Sequence, residues 1–330
     1  MGTIGLIHPE AETLGGNRVT ALRWAQILRG LSWKVFHGPS WDGRPCDVLV
    51  ALHARKSHDS IVRFARAHPD RPSIVAGSGT DLYTDVDDAG EVRESLGLAT
   101  RIVLLQPLAL ERLEPEHRSK ARVIYQSVRR PRSKPAPRED VFEVALLANV
   151  RPVKDPLCAV RAARLLPPVS RIRILHLGAV LDTGLGRELE ELGRGLDTYA
   201  WLGPRPRAEA LALLARSRLA LSTSRHEGGA NALSEALACD VPVIATRIPG
   251  SLGILGDAYP GTFPVGDAAA LADLLLRAET DPVFLEGLRE ACRSRAWLTD
   301  PATETESWKR LLDELLPRSP ALEASGARSP

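Results

Sequence analysis

Residues 219–250 read LALSTSRHEGGANALSEALACDVPVIATRIPG. The apolar run Leu219 to Ser222 loosens into a polar loop carrying Glu227-Gly228-Gly229, Ala/Leu spacing of helical period begins at Ala230, and Val241-Pro242-Val243-Ile244-Ala245 closes the stretch. By period this is strand, glycine loop, helix, strand, the repeating unit of an α/β sheet.

Glu227 lies in the loop and Glu235 in the helix, with seven residues between them. Gly228 and Gly229 have no side chain to hold a ligand off the backbone, and a helix starting near Ala230 and Asn231 leaves N–H groups free. A helix N-terminus supplies partial positive charge for a phosphate, while ionised carboxylates only accept and so match sugar hydroxyls. The combination asks for a nucleotide sugar. Either glutamate alone is more simply a solvated charge; spacing, glycines and the following Val-Pro strand together favour a site.

The alternation extends back to Val141. Val144 to Ala148 is a strand, and the loop Asn149 to Pro156 brings Arg151 and Lys154, which suit a diphosphate and its departure, ahead of a helix near Leu157. Ile172 to Leu177 with Gly178, and Tyr199 to Gly203, are further strand-turn units, with Trp201 read as core. Residues 267–278, 282–296 and 308–316 are helical by pattern, the last amphipathic.

Before this half stands RRPRSKPAPRED, residues 129–140, whose three prolines and missing apolar period mark an interdomain linker. Residues 1–128 alternate in the same way. Ile4 to His8 is a strand, and Gly15-Gly16-Asn17-Arg18 turns into a helix running from Val19 to Leu31, either presenting N–H groups and a cation to an anion or merely turning the chain. Val48 to Leu52 runs into His53-Ala54-Arg55-Lys56-Ser57-His58-Asp59, a polar cluster at a strand's carboxyl end that reads as an anion site with Ser57 as helix cap. Ile74 to Ala76 precedes Gly77-Ser78-Gly79-Thr80-Asp81, where Asp81 either orients a ligand or caps a Gly/Ser turn. Ile102 to Leu105 and Val123-Ile124 are the remaining strands. The fold class is therefore α/β, with two doubly wound domains.

Composition narrows the partners. The 330 residues carry 43 basic and 41 acidic side chains, a net charge of +2, which is too balanced for a general binder of nucleic acid or membranes. Four scattered cysteines, Cys46, Cys158, Cys239 and Cys292, lack metal or disulfide spacing. With no leader pattern and no run of about 18 apolar residues, a cytoplasmic protein is expected.

The central stretch resembles the donor-site signature of the retaining branch of GT-B glycosyltransferases: two Glu separated by seven residues, then Glu-Ala-Leu-Ala and Val-Pro-Val-Ile-Ala. The resemblance implies two Rossmann-like domains facing a central cleft. Residues 1–128 would take the acceptor and 141–300 the nucleotide sugar; a helix over 301–317 would cross back to the first domain, and 318–330 would be a disordered tail. It further implies that Glu227 contacts the donor sugar, Glu235 the ribose hydroxyls, and Lys154 with Arg151 the diphosphate, beside Gly228, Gly229, Ala230 and Asn231. Gly229, where a bulky residue is common, and Asp240, where glycine is usual, depart from the pattern.

Over nearly the whole chain, and most in GNRVTALRWAQIL, CDVLVALHARKSHDSI, GTDLY and ARVIYQSV, the sequence looks closest to the selenosugar synthases of selenoneine biosynthesis. That implies transfer of a sugar from UDP-N-acetylglucosamine or a related UDP-sugar to selenophosphate, giving a 1-selenosugar. Selenophosphate is a small, strongly nucleophilic anion, so cations that hold it matter more than a base that activates it. Gly16, Asn17, Arg18, His53, Arg55, Lys56, Thr80 and Asp81 are the expected acceptor contacts, and Glu227, Lys154 and His53 the catalytic candidates. No metal or cofactor is expected, since no Asp-x-Asp stands at a strand end. The competing readings are an O-glycosyl transferase for a small metabolite or glycan, a UDP-sugar epimerase, and a non-catalytic nucleotide-sugar sensor.

Overall fold

A computed structural model describes residues 2–9, 16–83, 90–131 and 135–316. The first six strands are β1 (Thr3–Ile7), β2 (Lys34–Gly38), β3 (Val48–Leu52), β4 (Ser73–Ala76), β5 (Arg101–Leu104) and β6 (Ala121–Val123). They form one sheet in the order β2-β1-β3-β4-β5-β6. The second sheet contains β7 (Phe142–Leu147), β8 (Ile172–Leu177), β9 (Tyr199–Trp201), β10 (Leu219–Ser222), β11 (Val243–Thr246) and β12 (Thr262–Phe263), ordered β12-β11-β10-β7-β8-β9. All strand pairs are parallel, with registers such as Ile4 beside Val48 and Leu219 beside Val144. Helices cover both faces of such sheets, which is why VLVAL of β3 and VIAT of β11 are buried along their whole length instead of alternating.

Alternation survives in which face each residue serves. In the first sheet Ile4, Leu6, Val48, Val50 and Leu52 pack on one side with Trp24 and Leu28. Ile7, Leu49, Ala51, Val75 and Ile102 pack on the other with Ile61 and Phe64. The second sheet has its own core around Val144, Leu219, Val243 and Ile244.

The helix Pro301–Leu315 follows the second domain but packs on the first. Asp300 caps it through a bond from Ala302 N at 2.8 Å, and Pro301 opens it. Trp308 meets Trp24 edge to face at 4.8 Å. Beside that contact Glu304, 1% exposed, accepts from Arg23 Nε at 3.0 and 3.2 Å, Trp24 Nε1 at 2.7 Å and Ser127 N at 2.9 Å, and also from the Ser127 hydroxyl. Val128 N donates to Thr299 O at 3.0 Å, so the two interdomain crossings run side by side.

Two edge strands were not expected. β2, with pattern KVFHG, is largely unburied and mixes polar and apolar residues, and β12 has only two residues, so neither carries a core-strand signature. β6 covers Ala121–Val123, slightly ahead of the Val123-Ile124 reading. Gly15 and the tail over 318–330 lie outside the described residues.

The strand orders fix where a ligand goes. Each reverses once, between β1 and β3 in the first sheet and between β7 and β10 in the second, and open α/β sheets bind ligands outside the carboxyl ends of strands at that reversal. His53 follows β3, the Lys154 loop follows β7, and the Glu227 loop follows β10.

Candidate active site

On the second domain the loops after β7 and β10 are tied together by their backbones. Arg225 N donates to Val153 O at 2.8 Å and Thr223 Oγ1 to Lys154 O at 2.8 Å. This sets the Lys154 ammonium on Glu227 Oε1, which also accepts from Ser224 Oγ at 2.6 Å. Asp155 takes a left-handed conformation, φ 42°, and pairs with Arg225 at 2.7 Å. Arg151 is exposed and extended at the start of the same turn.

The helix Asn231–Ala238 begins directly after the glycines, with Ala230 at its cap position. Its start meets the start of the helix Gly16–Gly30: a β-carbon placed on Gly16 would stand 3.3 Å from Asn231 Nδ2. Two sets of unsatisfied N–H groups converge there, the arrangement that favours an anion. Glu235, one turn further on and 7% exposed, lies 2.7 Å from Arg207 Nη1. Burial raises its carboxyl above the usual range, against the opposing pull of Arg207 and then Arg23. Sequence reading missed Arg207 and Arg23, which only folding brings to Glu235, and Ser224, three residues before Glu227 in the same loop.

On the first domain His53 is 2% exposed and left-handed, φ 69°, a conformation costly for a side chain with a β-carbon and common where a strand end is bent into a site. Its Nε2 is 3.0 Å from Thr80 Oγ1 and its Nδ1 3.8 Å from Asp81 Oδ2. Asp81 is fully buried and accepts from Ser78 N at 2.9 Å, Gly79 N at 2.9 Å and Ala54 N at 2.8 Å. With no exposed surface and these three bonds, the Asp81 carboxylate fixes the two loops to each other. The cap reading of Ser57 is corrected, since its hydroxyl donates to Leu52 O at 2.7 Å instead of capping the helix His58–Ala67.

Arg18, Arg55 and Lys56 are exposed, as is Gly16, and Asn17 is half-buried. Lys56 also lines a cavity of about 500 Å³ with His58, Asp59, Arg63, Arg66 and Glu94, on the flank of the His58–Ala67 helix.

The two halves of the site touch through glycine. A β-carbon on Gly79 would be 3.0 Å from Gly228 N, and one on Gly228 would be 2.6 Å from Ser78 C and O. One on Gly229 would collide with Leu105, one on Gly250 with the Glu227 backbone, and one on Gly253 with the Gln106 amide. Tyr83 stacks on His226 with centroids 6.3 Å apart. Both departures from the family pattern now have a place: Gly229 gives way to Leu105, and Asp240, at φ 55° where glycine is easiest, pairs with Arg293 at 2.7 and 2.9 Å. Among the described residues one trio could ligate a metal, Glu114, Glu116 and His117, and none of its members is among these cleft residues.

Residues 128–297 match the family model described as "Glycosyl transferases group 1". The chain belongs to that family. Curated relatives include the D-inositol 3-phosphate glycosyltransferase of Geodermatophilus obscurus, 28% identical over 285 residues, covering 78% of this chain and 60% of the relative. That of Mycobacterium marinum is 29% identical, covering 84% of this chain and 59% of the relative. The chain thus spans about three fifths of the length of these relatives. Among solved structures, Anabaena HepE in complex with UDP and glucose superposes with a TM-score of 0.77 at 16% identity, over 95% of this chain and all of that one. Sucrose-phosphate synthase from Thermosynechococcus elongatus gives 0.75 at 16%, over 97% and 100%. At such identity the likeness establishes the fold: this group 1 chain has the two-domain GT-B architecture. Among its described residues no helix is long and apolar enough to cross a membrane.

Proposed function

We propose that the chain transfers a sugar from a UDP-sugar, with UDP-N-acetylglucosamine the first choice, to selenophosphate. Selenium would form a bond to the anomeric carbon as the bond from that carbon to UDP breaks, and water would then cleave P–Se to release a 1-selenosugar and inorganic phosphate. The observation that carries the transferase reading is the Lys154–Glu227 pair at the reversal of the second sheet, beside the Asn231 helix start. Lys154 can exchange the carboxylate for the diphosphate and, with the helix start, compensate the leaving group without a metal. Glu227 is then released toward the sugar. Family membership and the UDP bound in the HepE structure agree with such a donor.

The acceptor rests on the resemblance of the first domain to selenosugar synthases and on Arg18, Arg55 and His53 around that domain's own reversal. A second reading is O-glycosylation of a phosphorylated small metabolite, favoured by the names of the curated relatives. Both acceptors carry a tetrahedral anion.

Mass spectrometry of the product from UDP-N-acetylglucosamine and selenophosphate, run beside inositol phosphates and plain alcohols, separates the two. A selenium-bearing hexosamine formed only with enzyme is the expected result; exclusive products from an alcohol or inositol phosphate would replace this reading with the second. Undiminished turnover in EDTA is expected as well.

A further inference from the structure

We propose that Gly228 and Gly229 set the size of the acceptor, restricting it to a small tetrahedral anion and excluding a sugar or inositol ring. The inference rests on the transferase reading above but not on selenium. Where two α/β domains face each other, the gap between their strand-end loops is the room a second substrate has. Here that gap is closed on one side by backbone against backbone. Ser78-Gly79 lies on Gly228 so closely that a β-carbon on either glycine would press on the other loop, and Leu105 fills the space a side chain at residue 229 would need.

The contact is rigidly specified. Asp81 holds Ser78 N, Gly79 N and Ala54 N on one carboxylate, so the touching loop and the residue after His53 move together. Thr80, the next residue after Gly79, bonds His53 at 3.0 Å, while Glu227 is the residue before Gly228. His53, through Thr80, and Glu227, through the peptide to Gly228, are therefore both tied to the same backbone contact. A bulky residue at 229 would push Leu105 aside, and one at 228 the Ser78-Gly79 backbone, and either would widen the cleft.

The test measures transfer from a UDP-sugar to water, thiophosphate, selenophosphate and myo-inositol 1-phosphate by the full chain and by Gly228→Ala, Gly229→Ala, Leu105→Gly and Gly229→Ala with Leu105→Gly. Thermal melting reports whether each variant is folded. The parent should favour the small acceptors over the inositol phosphate by about 100-fold or more in kcat/KM, and Gly228→Ala and Gly229→Ala, which also border the donor, should each lower small-anion transfer about 10-fold and narrow that preference. Leu105→Gly should restore transfer to Gly229→Ala, which a general loss of folding would not allow. Equal use of inositol phosphate by the parent, or unchanged kinetics in folded Gly228→Ala and Gly229→Ala, overturns the proposal. If selenophosphate fails while thiophosphate or water is used, the selenium reading falls and the size rule stands.

Discussion

Arg207 Nη1 lies 2.7 Å from Glu235 Oε1, joining the start of one helix to the middle of another in the second domain. A carboxylate this buried stays ionised only with such a partner. The site therefore contains a cation that must share Glu235 with any ligand hydroxyl.

Donor binding should consequently depend on pH through Glu235. Burial raises its carboxyl, so it takes up a proton above the range of an ordinary glutamate, and the protonated form loses acceptor capacity. UDP affinity measured by calorimetry should fall as pH is lowered toward the ordinary glutamate range, and Glu235→Gln should flatten that dependence. Glu235→Ala should weaken binding by about 1.5–3 kcal/mol. For stability the sign is opposite to the usual carboxylate: the folded state holds the proton more tightly, so this group's contribution declines as pH rises past the ordinary glutamate range toward the raised value.

Lys154 and Glu227 should behave as a unit in kinetics because they are partners in the structure. Glu227→Ala is expected to reduce kcat more than UDP affinity, and Lys154→Ala to lower kcat/KM by about 100-fold. The double variant should be close to the worse single one, with a coupling of about 0.5–3 kcal/mol. Strict additivity would remove the pair from the mechanism.

Glu304→Ala should be among the most destabilising substitutions in the chain. It strips the partner from Arg23, from Trp24 Nε1 and from Ser127, all at the place where the Pro301–Leu315 helix clamps the first domain. A loss of about 3–5 kcal/mol in urea unfolding is expected, the scale of breaking one side of a buried pair. A loss under about 1 kcal/mol would mean that the helix is held by its apolar face alone.

Acidification should weaken the second domain through His176. This residue is fully buried between Tyr199 OH at 2.6 Å and Ala148 O at 2.7 Å, and burial lowers it from 6.5 to about 4. Because the unfolded chain binds the proton first, its contribution is whole above pH 6.5 and is lost progressively toward pH 4, about 3 kcal/mol in all. Unfolding curves at pH 7, 5.5 and 4.5 check this, with His176→Gln expected to remove most of the slope.

Arg55→Ala should raise the KM for the anionic acceptor about 10-fold while UDP affinity is kept, since the residue belongs to the other domain. Lys56→Ala is expected to act in the same direction but less strongly, because that side chain also borders the cavity beside Arg63 and Arg66. Steady-state kinetics at saturating UDP-sugar decides each; unchanged acceptor kinetics in both would move the anion site away from this loop.

The sequence by itself determined the two α/β sheets, the strands at their centres, and the ends at which chemistry collects. Those properties are local: apolar runs such as VLVAL and VIAT are strands wherever they fall, and a glycine loop before an Ala/Leu helix exposes N–H groups regardless of context. Edge strands such as KVFHG escaped because half-exposed residues leave no such run. Only the tertiary structure decided which charges meet. Arg207 reached Glu235, Glu304 reached Arg23 over 281 positions, and Asp81 came to fix two loops together. The glycines at 228 and 229 were legible as openings for a ligand, yet what fills the space beside them is Ser78 and Leu105 from another domain. Non-local contacts of this kind depend on how two separately folded sheets are docked, and no period or spacing along the chain encodes that distance.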